Sequence, residues 1–205
     1  MAGDGLHTSA TGAGIMSTVT FEVPWRVHMP TVDATCVRFA CARAGDEDPW
    51  PLARVLHYMQ ELGVTRADRP HAVGRGRGVP LIHRQALSWM GCTLLLESHH
   101  HATFAADELS MLLPPWDELE TSAACEDDLW TLVDTVAAGS GALHGAVGDG
   151  EPLELTRPDT AQAVSDSLRR HMALLVSAET LHFADLARAC LYRELPVSGL
   201  VVLAR

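Results

Sequence analysis

The chain has 205 residues, 47% of them apolar, enough to bury a core without disulfide or metal staples. Its formal net charge of −11 opposes binding to nucleic acid or to an anionic membrane surface, because both are recognised by neutralising them with Lys and Arg. There is no lysine at all, which excludes a Schiff-base lysine, a Walker A loop and a kinase-type Lys–Glu pair.

The charge is unevenly distributed. Residues 85–156 hold 13 carboxylates and neither Arg nor Lys, whereas the rest of the chain holds all 15 Arg and the other 13 acids. A basic protein partner fits that sign. The five cysteines (Cys36, Cys41, Cys92, Cys125 and Cys190) are odd in number and form no CxxC. They predict a reduced, cytoplasmic protein.

Residues 1–15 are rich in Gly, Ala and Thr and read as a flexible tail with no signal-peptide core. Residues 16–205 are expected to form one domain, with a weak seam at Pro114 and Pro115. Period-two alternation predicts strands over 17–28 and 32–43, with Val37, Phe39 and Cys41 on the buried side. Asp48 and Pro49 suit the start of a helix running to Leu62, where Gly63 stops it. A loop follows, and then a short helix over 83–90 ended by Gly91. The apolar run 92–97 predicts a central strand. Further helices are expected over 105–113 and 126–138, the first closed by Pro114 and Pro115.

Asp149-Gly150 between 142–147 and 153–155 signals a hairpin. Pro158 opens a long predicted helix reaching Leu175, and another is expected from about Glu179, ended by Leu195 and Pro196. Residues 197–204 are nearly all apolar and predict a strand with neighbours on both sides. Strands and helices mix without strict alternation. The expected class is α+β, a mixed, mainly antiparallel sheet with several packed helices.

Three features carry candidate chemistry. The acids Asp117, Glu118, Glu120, Glu126, Asp127 and Asp128 crowd together with no base between them, and Trp116 stands at their head as a possible anchor. Arg169 and Arg170 are available to answer them. His99 and His101 share one strand face with Glu97 if the strand continues, a partial ligand set for Zn or Fe that matches no standard motif. Asp107 and Glu108 are near in sequence. Gly74-Arg75-Gly76-Arg77-Gly78 could cradle an anion, but it lacks the glycine spacing of a dinucleotide turn. No nucleophile elbow occurs, because Ser140 sits in Gly-Ser-Gly.

These features favour a non-enzymatic interaction protein whose acidic face meets a basic protein, with a toxin-neutralising immunity protein as one concrete form. No catalytic residue and no cofactor are expected. A metal-dependent enzyme centred on His99 and His101 is the alternative, and an anion or nucleotide binder using the 74–78 loop is the third reading.

Overall fold

The computed structural model describes residues 35–43, 51–69, 71–73, 81–101, 106–114, 126–148, 151–184 and 188–204. The expected tail, the strand over 17–28, the Asp48–Pro49 helix start and the Asp149-Gly150 turn lie outside these residues. Ten strands form one sheet: β1 (Cys36–Ala42), β2 (Thr65–Arg66), β3 (His71–Val73), β4 (Leu81–Trp89), β5 (Cys92–His100), β6 (Ala106–Leu112), β7 (Ala142–Gly148), β8 (Ala173–Ser177), β9 (Cys190–Leu195) and β10 (Leu200–Ala204). Their order is β2-β4-β5-β6-β1-β7-β8-β10-β9, with β3 also on β4. Every described pairing is antiparallel. Among the described residues three α-helices accompany them, α1 (Pro51–Gln60), α2 (Glu126–Ser140) and α3 (Ala161–Arg170), with a 3-10 helix over Ala178–Phe183. The class is α+β, but strand outweighs helix. No helix of the described residues is long and apolar enough to cross a membrane.

Strand β1 is the central element. It pairs with β6 on one side and β7 on the other, and so joins the two halves of the sheet. Its odd residues, Val37, Phe39 and Cys41, meet the layer formed by α1 and α2, as the alternation predicts. Leu52, Val55 and Met59 of α1 and Leu132, Val133 and Val136 of α2 fill that layer. Close approach of the two helices depends on Gly139. A Cβ there would stand 3.1 Å from the Val55 Cα. On the opposite face α3 covers the β7–β8–β10 end, with Val164 and Leu168 packed on Leu174, Val176, Val201 and Leu203.

Four predicted helices are strands or break differently. Residues 83–89 belong to β4, because Met90 and Gly91 form a hairpin turn and Gly91 is not a helix cap. Met90 and Gly91 both have positive φ, 47° and 83°, and Trp89 faces Cys92 across the turn. Residues 105–113 contain β6, whose apolar positions Leu109 and Met111 alternate with Glu108 and Ser110 across a sheet buried on both faces. The long helix from Pro158 ends at Arg170, and Ala173–Ser177 is β8. A short apolar run satisfies either period, and here its neighbours β7 and β10 decide for strand. The helix expected from Glu179 to Leu195 and Pro196 is instead a 3-10 helix over Ala178–Phe183 and the strand β9. The strand β10 has β8 and β9 on its two sides, as its composition predicts.

Candidate functional site

The acidic start of α2 lies over an apolar cleft. Glu126, Asp127 and Asp128 form the first turn, where carboxylates favour the positive end of the helix dipole. No base closes the helix, so the remaining partners come from β9. A bulge makes this possible. The β9–β10 register shifts between Val202, opposite Arg193, and Leu203, opposite Leu191, which leaves Tyr192 as the extra residue. Tyr192 and Arg193 both reach α2: the Tyr192 hydroxyl donates to Glu126, and Arg193 Nη2 lies 2.7 Å from Asp127 Oδ1. The hydrogen bond to Glu126 pushes the Tyr192 phenol above its ordinary pKa. Trp130, one helical turn along, donates to Glu126 at 3.2 Å and lies against the Tyr192 ring at 6.0 Å.

Beneath this turn is a cleft of about 360 Å³, floored by Val37, Leu113, Leu129, Val133 and Val147. Trp130, Tyr192 and Met172 form its apolar mouth, with Glu126 beside them. Met172 is 70% exposed and Tyr192 55%. Of the residues the sequence nominates, the fold brings Glu126 and Asp127 to this site. Asp128 shares their helical turn. Trp116, Asp117, Glu118 and Glu120 lie outside the described residues. Arg169 and Arg170 do not answer this turn; they pair with Asp166 and Glu154.

The histidine cluster lies on the other face of the sheet. Strand β5 does continue to His100, so Glu97, His99 and His101 share a face. Arg84 Nε stands 2.6 Å from Glu97 Oε1, and Glu97 Oε2 stands 3.4 Å from His99 Nε2. Arg38 pairs with Glu108, whose Oε2 lies 3.6 Å from His101 Nε2. Ser110 Oγ also donates to Glu108, at 3.2 Å. The His99 and His101 rings stack with centroids 6.4 Å apart. His100 belongs to the opposite face, 3.0 Å from Asp107, which Arg43 also meets.

Each carboxylate a metal would need is thus held by a guanidinium, which opposes a cation. Among the described residues, no group of three or more His, Cys, Asp or Glu stands in a position to hold a metal ion. Burial alone would raise the Glu97 carboxyl, but His99, Arg84 and Arg38 together hold it below its ordinary value. Burial pushes the Cys36 thiol on this face up to about 11, against the pull of Arg38, so it is no nucleophile at neutral pH. The 74–78 loop lies outside the described residues.

The reading from sequence missed Arg38, Arg84, Trp130, Met172 and Tyr192. Arg84 was within reach, since β4 alternates Arg84 and Ala86 with Gln85, Leu87 and Trp89. Tyr192 was not, because a bulge sets its direction. No protein-family model, no curated protein and no solved structure matches this chain.

Proposed function

We propose that the chain is a non-enzymatic interaction protein that meets a basic protein partner at the acidic start of α2, an immunity-type inhibitor of a basic toxin being one concrete form. The observation that supports this most is the acidic turn Glu126–Asp127–Asp128, exposed at its first two residues and placed over a cleft with Trp130, Tyr192 and Met172 at its mouth. Trp, Tyr and Met are enriched where proteins bind one another, and acids beside them steer a basic partner and set register. The metal-dependent enzyme reading has less support, since Glu97 and Glu108 are already bound by Arg84 and Arg38. The anion-binder reading rests on Arg75 and Arg77, for which the described residues supply no geometry.

The test is the association rate of a partner isolated from the native host, measured against salt. Attraction acting over the Debye length should fade as that length falls from about 10 Å at 0.1 M to about 3 Å at 1 M. The triple variant E126Q/D127N/D128N should associate more slowly and with a flatter salt dependence. A partner that binds elsewhere, with rates indifferent to both salt and the triple variant, refutes the proposal.

A further inference from the structure

We infer that the cleft under the first two turns of α2 seats an apolar side chain from a basic amphipathic segment of the partner, a detail that rests on the acidic-turn reading above. The volume, about 360 Å³, falls at the lower end of the range of roughly 300–1,000 Å³ found for ligand pockets. Its floor is aliphatic and offers no charged side chain, so it rewards an aliphatic or aromatic group and penalises a charged one. Its mouth is a flexible thioether at Met172 and two amphipathic rings, Trp130 and Tyr192. Those rings are tied to Glu126 by hydrogen bonds and so are already positioned.

Charge decides among the possible occupants. The chain's own segment 115–125 carries Asp117, Glu118 and Glu120 and no base, so Glu126 and Asp127 would repel it. A second copy carries the same net charge of −11 and the same acidic turn, so like charges would meet at the mouth. A foreign segment with Arg or Lys flanking its apolar residue avoids both conflicts. Its bases would meet the three carboxylates of Glu126, Asp127 and Asp128, which outweigh Arg193 and the roughly +0.5 charge of the helix N-terminus taken together.

The experiment uses the full chain labelled at its methionine methyls and three synthetic helical peptides. One carries Leu at i, i+3, i+4 and i+7 and Arg on the opposite face, as an amphipathic helix, the second has Ser for each Leu, and the third has Glu for each Arg. The Met172 methyl signal, assigned from M172L, is followed by NMR. The Leu–Arg peptide should move it. The Ser peptide and the Glu peptide should each bind at least roughly tenfold more weakly. M172S and Y192S, both at exposed positions, should each weaken the Leu–Arg peptide several-fold while the thermal melt is kept.

If the Ser peptide binds as well as the Leu–Arg peptide, and E126Q/D127N weakens both, the acidic turn stands and the cleft is overturned as the seat. Indifference of the Leu–Arg peptide to E126Q/D127N and to salt overturns the acidic reading and the basic occupant with it. A cleft filled from within by Trp25, which stands beside the base Arg26 in the segment 17–28, is shown by a Met172 signal in the free chain that moves in W25A, or by no peptide moving it at all. Either result overturns the inference.

Discussion

Asp134 shows how one buried carboxylate fixes a turn 63 residues away. It lies on α2, is 3% exposed, and accepts hydrogen bonds from Val197 N at 2.9 Å and Ser198 N at 2.8 Å. These are the amides of the turn joining β9 to β10. Replacing Asp134 with Ala leaves two amides without acceptors, at about 1–3 kcal/mol for each that stays buried. Chemical denaturation should show the loss, and Asp134→Asn should recover part of it through its remaining carbonyl oxygen. Glu97 is the second case. Its folded pKa lies below the unfolded value of 4.5, so its ion pairs contribute fully above that pH. That contribution is lost as pH falls below 4.5 and through the folded value. Thermal melts from about pH 7 to about pH 3 should therefore fall less steeply for Glu97→Gln than for the wild type, from a lower start. Parallel profiles would mean that Glu97 titrates alike in both states.

The β4–β5 hairpin is the element whose sequence least resembles its structure. Met90 occupies a left-handed position with φ 47°, which costs a residue bearing a Cβ roughly 1–2 kcal/mol relative to glycine. Asn-Gly is the preferred pair for such a turn, so Met90→Asn should stabilise by up to about 1 kcal/mol in chemical denaturation. A destabilised variant would mean that the Met90 side chain contributes contacts worth more than the strain. The same turn explains why the strand β4 is hard to read. Gly91 after an apolar stretch is also the mark of a helix C-terminus, and nothing local separates the two. Elements with a long single-period pattern were legible: β1 from Val37, Phe39 and Cys41, α2 from Leu129, Leu132, Val133 and Val136, and β10 from its apolar run. Strand β6 was not, because Asp107–Met111 satisfies helical spacing and only β5 and β1 beside it impose the period of two. Of the candidate site, the acidic turn was legible as a charge run. Its apolar floor was not, since Val37, Leu113 and Val147 come together only when three distant strands pair.

At the scale of the whole molecule, folding answers part of the charge division seen along the chain. Glu97, Asp107, Glu108, Asp127 and Glu154 all belong to the acidic stretch, and each meets an arginine from outside it: Arg84, Arg43, Arg38, Arg193 and Arg170. The pairing is possible because β1 inserts between β6 and β7 and carries Arg38 into the acidic half. That insertion also predicts how the molecule opens. β1 pairs over its length with β6 and over most of it with β7, and Val37, Phe39, Ala40 and Cys41 are at most 1% exposed. Its amides should exchange with solvent only through global unfolding, at the full stability of the protein. Strand β9, at one end of the described order, and β2 and β3 at the other end should exchange first, through local opening. Native-state hydrogen exchange against denaturant separates the two classes. If β1 amides exchange well before those of β5 and β10, the two halves of the sheet are separate cooperative units, and the arginines that cross between them would part before either half melts.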